Sequence, residues 1–597
     1  MNINSNKQLS LILISVLFSL FGTLSYASTN NYISTGKNGS GLGYIVLLPE
    51  DNKSFAEQLS VSNTIYEINN TYDLNGEIVK IPSGCILSFK GGSLKNGILV
   101  GDRTALEAPL YQIFESTLSL LGTWTISEAY PQWYGARGDG RTDDSDAIQN
   151  TLNNFIGVIR LPVGVYSISH KIAFKDNRIL EGVGTGTYLR ESGYSRISVI
   201  RPTSDFKGDC VLDFDPANYS KGSVYITGAT CRRLIVDCVN IKNNSITIIN
   251  ILSLSNPETF ENIRIINNNN NVGLRVGRSA NKRSFESDGI VFSNIVFLDG
   301  GSHYSKTPCA IIGPCNEISF RDCKFMPASS SDVKGSNSVM LDASQMGNTS
   351  RAVQGIVFDN CSFTASEKAL IIKGNRTDGN GPRNIMVSGC TFENVATAIY
   401  AYSTDPKNKP VQFCTFIGNR FHSNSTGQTY VLGEGACNNE VFPLDNQTTI
   451  LDKGAINNLV LGGIEPQMVG NGATNGYIHG SKIGVVLTSP QQEVWEEPTL
   501  MNNWRNASPT NRTTIAYRKT KDGKLELRGY LKSGNWTYPN NLLFTLPLEY
   551  RPKTSKVLSV GGEEGESCIL EILNTGQVQA KGKGALLLLD GVVVSLD

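Results

Sequence analysis

The chain has 597 residues, and its 53 lysines and arginines balance 53 aspartates and glutamates to a formal net charge of zero. This balance gives no electrostatic case for binding nucleic acid or an anionic membrane surface. The 59 glycines, with many asparagines and serines, favour a structure with many turns and few long helices.

Residues 1–27 have the pattern of a signal peptide. Lys7 precedes an almost wholly apolar run at 9–24, and Ser-Tyr-Ala at 25–27 is a small-x-small cleavage site. A membrane anchor is the alternative, but the run is short for a span, and no later segment is long and apolar enough for one. We therefore expect an exported protein (secreted, periplasmic or on the cell surface) with no membrane span once the signal is removed.

Composition and turn patterns divide the rest of the chain into three segments. Residues 28–128 alternate apolar and polar positions between glycine turns, which predicts a β-rich segment leading into the main body. Residues 129–480 form that main body. Residues 485–597 carry more charge, more tryptophan and hairpin-like turns, which predicts a separate C-terminal β-module.

The main body contains an internal repeat, the most informative feature of the sequence. Five eight-residue segments align without gaps, with intervals of 28, 38, 29 and 29 residues between starts at Ile290, Ile318, Ile356, Ile385 and Cys414. Positions one, three, six and eight are mostly apolar. Position five is Asn, Asp or Gly, the residues that tolerate a left-handed backbone. Each segment therefore predicts a strand, a one-residue corner and a second strand.

Such a repeat is one coil of a solenoid. Each coil bonds to the next at roughly 4.8 Å, and equivalent residues stack along the axis as core columns. Leucine-rich repeats and helical repeats fit poorly, because neither fixed leucine spacing nor a 3.6-residue period is present. The predicted architecture is a parallel β-helix, and Asp322, at position five, is interpreted as a corner residue.

The 12 cysteines have two interpretations, since export permits disulfides. Cys323, Cys361 and Cys390 occupy position six, which Ile295 fills in another coil. A free cysteine behaves as a small buried hydrophobe, so we predict packing. A disulfide between neighbouring coils is the alternative, and it is disfavoured because stacked side chains run parallel. No CxxC pair or HExxH motif is present, so a zinc site is not expected.

Residues 142–156 are predicted to form an amphipathic helix at the head of the solenoid. Thr142 or Asp143 can cap its start. The apolar face comprises Ile148, Leu152, Phe155 and Ile156. A helix laid over the open end of a solenoid would cover its exposed sheet edge.

Several motifs near this helix carry a family resemblance. They are Gly-Ala-Arg-Gly-Asp-Gly at 135–140, Thr-Asp-Asp at 142–144, Ala-Ile-Gln at 147–149, Leu-Pro-x-Gly-x-Tyr at 161–166 and Leu-Glu-Gly-Val-Gly at 180–184. This set resembles the pectate lyase superfamily, the rhamnogalacturonase/epimerase-like group with the pectin lyase fold. The match is specific over about 130–190 and extends as a fold pattern to about 480.

The resemblance implies an all-β protein, a right-handed parallel β-helix with one capping α-helix, acting on or binding acidic or complex polysaccharide. The group includes polysaccharide lyases, glycoside hydrolases, epimerases and phage tailspikes. It also implies that Asp143 and Asp144 are structural rather than a catalytic pair, consistent with adjacent helix-start residues not facing one site.

The C-terminal segment is similar to small β-modules at the ends of tail-fibre-like and other surface proteins. The similarity rests on Tyr-Arg-Lys at 517–519, Leu-Arg-Gly at 527–529, Leu-Pro at 546–547, Tyr-Arg-Pro at 550–552 and Leu-Asp-Gly at 589–591. It implies binding or trimerisation, and hence a homotrimer as a candidate assembly. A plain β-sandwich-like accessory domain is the alternative.

Catalytic candidates come from outward positions and loops, because a solenoid core is chemically inert. Lys373 and Tyr402 each lie ten residues after the position-eight phenylalanine of their repeat, and Asp342 follows its strand in the same way. We therefore expect these three to line one groove. The full candidate set is Asp342, Lys373, Tyr402, Arg376, Asp378 and His303.

Two reactions suit these residues. Lysis of a uronate polymer needs a base and a positive charge on the substrate carboxylate, and Lys373, Arg376 or His303 would serve, with Tyr402 as the acid. Hydrolysis needs two carboxylates about 5–10 Å apart, which predicts Asp342 paired with Asp378 or Asp299. Scattered polar residues on a solvated face are the alternative interpretation.

The sequence thus favours a secreted polysaccharide lyase or glycoside hydrolase, with polysaccharide or oligosaccharide as its partner. A non-catalytic glycan-binding, adhesin-like or tailspike-like surface protein is the alternative. The polygalacturonase-type set of Asn-Thr-Asp, Gly-His-Gly and Arg-Ile-Lys does not occur. No cofactor is evident, and calcium is a candidate without a clear aspartate-rich motif.

Overall fold

The computed structural model describes most of the chain, and the predicted signal peptide lies outside the described residues. The described residues are 41–597, apart from 50–52, 186–195, 219–224, 242–245, 256–258, 267–270, 278–286, 299–306, 328–333, 343–352, 375–380, 407–409, 423–427, 445, 453, 464–466, 469–474, 480–485, 488–492, 508–512, 521 and 563–565. The chain forms two compact units, Met1–Ile126 and Ser127–Asp597.

The first unit is built from parallel strands. A one-turn helix, α1 (Phe55–Gln58), begins with a capping box between Ser54 and Glu57. The strand Thr64–Ile68 alternates buried and half-buried residues, as expected for a strand with one face on a core. The strands of this unit are Gly43–Val46, Thr64–Ile68, Thr71–Asp73, Ile78–Lys80, Ile86–Phe89, Ser93–Lys95, Gly97–Glu107 and Leu118–Thr125.

The second unit contains a parallel β-helix whose coils carry three sheets. The first sheet leads into the predicted corners. Its strands are Glu128–Ala129, Gly157–Arg160, Arg178–Glu181, Thr230–Asp237, Thr259–Ile266, Val291–Leu298, Cys315–Arg321, Val353–Asp359, Met386–Ser388, Thr415–Ile417, Glu440–Phe442, Leu459–Leu461 and Gly476–His479, with Val486–Leu487 pairing antiparallel to the last. Short strands Ser287–Asp288, Val411–Gln412 and Ala436–Cys437 connect sheets.

The second sheet follows the corners, and its longer strands continue into the third. Strands that contribute to the second sheet are Asp139–Asp143, Gly164–Ala173, Ser198–Phe214, Lys324–Met326, Ser362–Gly374, Thr391–Ser403 and Arg420–His422. The third sheet adds Thr247–Ile251, Val272–Val276, Ala310–Ile312, Asn337–Asp342, Gln428–Leu432, Thr449–Leu451 and Gln467–Met468 to the ends of the long strands.

The predicted corners are confirmed. Position five of every aligned repeat has a positive φ, between 51° and 66°: Asn294, Asp322, Asn360, Gly389 and Gly418. Neighbouring corners also bond to each other, because the Asn360 side-chain amide donates to the Asp322 carboxylate at 2.6 Å. Asp322 is therefore part of the architecture, as predicted.

The predicted core columns are also confirmed, with one exception. Position-three rings stack with centroids 4.9 Å apart from Phe292 to Phe320 and again from Phe320 to Phe358. A second column at position eight runs from Phe297 to Phe392 at spacings of 4.8–5.2 Å. Phe421, the fifth member of that column, is only half-buried.

All twelve cysteines are free and buried, so the packing interpretation holds and the disulfide alternative is wrong. The position-six thiols donate weak hydrogen bonds to backbone carbonyls, as Cys323 does to Phe292 at 3.4 Å. Farther along the helix the inward column becomes polar. Asn439, Asn458 and Asn475 are buried and bond side chain to side chain at 2.9 and 3.0 Å. Each asparagine amide is hydrogen-bonded to the asparagine of the next coil, so these buried polar side chains have partners.

The capping helix exists but begins later than predicted. Helix α2 spans Ser145–Asn154 with Asp144 at the N-cap position, whereas Thr142 and Asp143 belong to the preceding strand. The predicted face is buried at Ile148, Leu152 and Phe155. Ile156, however, is 70% exposed, because the chain leaves the helix at Phe155 in an extended conformation.

Asp143 and Asp144 are structural, as the resemblance implies. The buried Asp144 carboxylate accepts the backbone N–H groups of Arg137 at 2.7 Å and Gly138 at 3.1 Å. Burial raises the pKa of Asp144 to about 6, against the effect of those two bonds. Asp143 instead accepts hydrogen bonds from Ser145 and Ser169, which joins the helix start to the neighbouring strand.

The C-terminal module is antiparallel throughout and has its own core, which includes Trp504, Leu527, Phe544 and Leu570. Two sheets have three strands and one has four. The strands are Arg505–Asn506, Ala516–Lys519, Leu525–Arg528, Tyr530–Lys532, Leu542–Thr545, Lys556–Gly561, Ser567–Ile572, Gln577–Lys581, Leu586–Leu588 and Val592–Val594. Among the described residues of the second unit, 3-10 turns occur at Pro131–Tyr134, Pro216–Asn218 and Leu548–Tyr550.

Candidate functional site

The predicted groove residues lie in one row of the third sheet. Asp342 pairs in register with Lys373, and Lys373 pairs with Tyr402 on the next coil. The three residues therefore stand on consecutive rungs, about 4.8 Å apart along the axis. This confirms their predicted stacking, while their chemical roles stay a prediction.

Asp342 and Lys373 form an ion pair. The Lys373 Nζ atom lies 3.6 Å from Asp342 Oδ2, and the Asp342 residue is only 3% exposed. Lys373 is partly exposed, with 22% of its side chain open to solvent. The buried carboxylate therefore holds the Lys373 ammonium in place, while the lysine side chain stays partly open to solvent.

Two tyrosines form a platform beside this pair. Tyr400 and Tyr402 lie two positions apart on the strand Thr391–Ser403, so they share one face of the sheet. Their rings stack with centroids 4.7 Å apart. The ammonium of Lys368 lies 5.1 Å from the Tyr400 ring centroid, a cation–π contact. On the next coil, the residue beside Tyr402 is Gly433. A Cβ atom at this position would lie 3.0 Å from the Tyr402 Cβ atom, so the glycine avoids a close contact with the tyrosine.

A shallow cavity of about 410 Å³ adjoins the platform. We call the cavity together with the Asp342, Lys373 and Tyr402 row the tyrosine groove. The residues that line the cavity are Lys368, Thr397, Tyr400, Gln428, Val431, Ile450 and Asp452.

The groove environment keeps both phenols protonated. Burial raises the pKa of Tyr402, and the neighbouring Tyr400 and Asp342 raise it further. Burial also raises the pKa of Tyr400, with a contribution from Asp452. Both hydroxyl groups are therefore able to donate a hydrogen bond or a proton.

Residues 132–326 match the family model described as rhamnogalacturonase A/epimerase, pectate lyase-like. This segment is a pectate lyase-like parallel β-helix. The tyrosine groove, formed by residues of 342–452, begins beyond the matched positions. A search of curated proteins found no match.

Several solved structures are similar to this chain. The endo-xylogalacturonan hydrolase of Aspergillus tubingensis is 16% identical, with 58% of this chain and 91% of that one covered and a TM-score of 0.35. The Streptococcus pneumoniae surface adhesin PfbA is 14% identical over 59% and 90%, with a TM-score of 0.34. The tailspike gp49 of Acinetobacter baumannii bacteriophage Fri1, a capsular polysaccharide depolymerase, is 12% identical over 78% and 88%, with a TM-score of 0.35.

Three predicted candidates, Arg376, Asp378 and His303, lie outside the described residues, as does Asp299. The hydrolytic pairs proposed for Asp342 therefore stay predictions. Within the groove, the other lining carboxylate is Asp452. It stands four rungs from Asp342, roughly 19 Å along the axis at about 4.8 Å per rung. That separation is too long for a hydrolytic pair.

Sequence reasoning missed Tyr400, Lys368 and Asp452 as groove residues. A signal for Tyr400 was present, because Ile-Tyr-Ala-Tyr-Ser at 399–403, read as a strand, places both tyrosines on one face. Asp452 had no such signal, since it comes from a coil that does not fit the eight-residue pattern.

A second polar cluster on the third sheet was also missed, inside the pectate lyase-like segment. The buried Asp213 carboxylate accepts hydrogen bonds from Lys171 at 2.7 Å and Asn250 at 2.9 Å. Asp215, two residues on, has a pKa raised by burial, with a further contribution from Asp213. Hydrolysis uses two carboxylates, and this cluster supplies two, Asp213 and Asp215.

No group of three or more His, Cys, Asp or Glu suited to a metal ion occurs among the residues that the structure describes. In the same part of the chain, no helix is long and apolar enough to cross a membrane.

Proposed function

We propose that the chain is an exported carbohydrate-active protein whose tyrosine groove binds an acidic polysaccharide. The observation that carries this proposal is the stacked pair Tyr400 and Tyr402 with Lys368 and Lys373 beside it on one sheet face. Aromatic faces pack against the apolar face of a sugar ring, and ammonium groups attract uronate carboxylates. The family model matched by residues 132–326 supports a carbohydrate substrate.

Removing both rings is expected to abolish most of the binding. The double variant Tyr400→Ala/Tyr402→Ala should lose roughly 1–3 kcal/mol of binding free energy, which is about 5- to 150-fold in Kd. Titration calorimetry with polygalacturonate and with a neutral polysaccharide measures the effect. Phe413→Ala is the matched control, since Phe413 is a 53% exposed aromatic residue of the same β-helix outside the groove. Unchanged affinity in the double variant would rule out the groove.

Cleavage by β-elimination is the second candidate function, favoured by the register pairing of Lys373 with Tyr402. Lys373, held by Asp342, suits the substrate carboxylate, because charge there stabilises the carbanion-like transition state. A base removes the proton beside that carboxylate, the carbon–oxygen bond breaks, and the Tyr402 phenol protonates the departing oxygen. His303 and Arg376 are the remaining candidates for the base.

This candidate predicts an ultraviolet-absorbing unsaturated product from uronate polymers. Tyr402→Phe should lower kcat by about 10²–10⁴-fold, because the ring stays and only the proton donor is lost. Tyr400→Phe, which keeps the same ring platform, should stay close to the parent activity. New reducing ends without ultraviolet absorbance would instead indicate hydrolysis, and Asp215→Asn would then test the Asp213 and Asp215 pair. Binding of the polysaccharide without any new reducing ends would support glycan binding and exclude both cleavage reactions.

A further inference from the structure

A second cavity, separate from the tyrosine groove, lies where the β-helix meets the C-terminal module. It has a volume of about 650 Å³. We call it the junction pocket. Its lining residues are Pro406, Pro410, Glu434, Gly435, Cys437, Gly454, Ile456, Glu493, Val494, Glu496, Lys519, Glu549 and Tyr550.

The pocket has an apolar surface that solvent reaches. Ile456 is 41% exposed and Val494 is 53% exposed, and two prolines and the Tyr550 ring extend the same surface. Exposed apolar surface inside a concave site is typical of a binding site rather than of an ordinary solvated face.

The rim of the pocket is acidic. Four glutamates and one lysine are among its described lining residues, a balance of 1 − 4 = −3. The carboxylates come from three separate parts of the chain: Glu434 from the helix, Glu493 and Glu496 from the connecting segment, and Glu549 from the module. The negative charge is therefore spread around the opening rather than concentrated at one point.

Internal contacts hold part of this rim in place. Glu496 accepts the Tyr517 hydroxyl at 3.0 Å, and Glu493 accepts the Lys519 backbone N–H at 2.6 Å. The Lys519 ammonium lies 5.1 Å from the Tyr550 ring centroid. Glu434 and Glu549 are exposed residues, so their carboxylates face solvent at the opening.

From this charge complementarity we infer that the junction pocket binds a basic segment of a protein partner, an extended stretch with at least two lysine or arginine side chains around an apolar one. Long basic side chains pack their methylene stems on apolar walls while their charged ends reach carboxylates. A ligand with a single positive charge would reach only part of this rim, because its carboxylates come from three chain segments. The inference is independent of the glycan function.

The test uses the full chain and a fluorescent hexapeptide with two lysines flanking two leucines. Fluorescence anisotropy measures its Kd, and a matched peptide with both lysines replaced by glutamine tests the charge requirement. We expect Glu434→Gln/Glu549→Gln to weaken binding of the basic peptide at least tenfold at low salt. The control Glu77→Gln/Glu107→Gln removes the same charge from exposed positions of the first unit and should change Kd less than twofold.

Circular dichroism and the melting temperature of each variant show whether it remains folded. Equal binding of the neutral peptide, or equal binding by the Glu434→Gln/Glu549→Gln variant, would overturn the inference. Displacement of the peptide by spermine at equal concentration would also overturn it, because a small polyamine would then be the better occupant.

Discussion

Phe358→Ala is expected to destabilise the β-helix by about 3–5 kcal/mol, because a large aromatic side chain is removed from a closely packed core. Phe358 is fully buried, stacks on Phe320 at 4.9 Å and meets Phe325 edge-on at 6.3 Å. Its loss opens a cavity between coils that cannot collapse without breaking the ladder of hydrogen bonds. The midpoint of chemical denaturation, followed by far-ultraviolet circular dichroism, measures the change.

Met386→Ala provides the matched control for Phe358→Ala. Met386 lies on the adjacent strand of the same sheet but is 41% exposed, so its truncation should cost much less. If the denaturation midpoint of Phe358→Ala were as close to that of the parent as the midpoint of Met386→Ala, Phe358 would not be a core residue and the assigned register would be wrong.

Glu181→Gln is expected to cost about 2–3 kcal/mol at neutral pH, the scale of a hydrogen bond to a charged group that leaves its partners unmatched. Glu181 is 4% exposed and accepts hydrogen bonds from Arg160 at 2.8 Å, Arg232 at 2.9 Å and Arg233 at 3.3 Å. Glutamine keeps the shape and removes the charge. Denaturation midpoints at several pH values measure the effect.

The pH dependence follows from the pKa of Glu181. Burial acts to raise it, but hydrogen bonds from Arg232 and Arg160 outweigh burial and lower it below the ordinary value of 4.5. A lowered folded-state pKa gives stability that is fully present above the unfolded value and is lost as the pH falls through the folded value. The gap between parent and Glu181→Gln should therefore narrow below about pH 4.5. A gap that stays constant down to pH 3 would contradict this account, and Glu393→Gln, at an exposed position, should show almost no gap.

The corners and columns of the β-helix could be predicted because each depends on local residue preferences. Asn360 and Gly389 mark left-handed corners through their own backbone tolerance, and the alternation around them sets which side chains face inward. Register between coils then follows from the repeat itself. This is why the stacking of Lys373 and Tyr402 was predictable without any structure.

The misplaced helix start and the missed groove residue Asp452 depend on contacts that no local pattern encodes. Asp144 stands between the strand and the helix, and its carboxylate accepts backbone N–H groups of Arg137 and Gly138, which lie before the strand. Asp452 belongs to a late coil, where inward asparagines such as Asn439 and Asn458 recur after 458 − 439 = 19 residues rather than 29. Because the repeat length differs, the sequences of those coils could not be aligned with the earlier repeats.

The motif around Glu181 shows the difference between detecting a sequence pattern and explaining it. Leu-Glu-Gly at 180–182 pointed to a family without a reason for its residue types. In the structure the carboxylate joins arginines from two neighbouring strands, Gly157–Arg160 and Thr230–Asp237. A Cβ atom on Gly182 would lie 2.4 Å from the Arg233 carbonyl oxygen, so the glycine lets the strands approach.

The twelve buried thiols make the protein its own reporter of local opening. They occur from Cys85 in the first unit, through the β-helix, to Cys568 in the C-terminal module. Burial raises the pKa of Cys414 to about 12, so its native thiol is a poor nucleophile as well as a shielded one. A thiol reagent applied under native conditions would label each cysteine only when its surroundings open. Peptide mapping of the labelling rates would then order the coils by the free energy of their fluctuations, without introducing a probe.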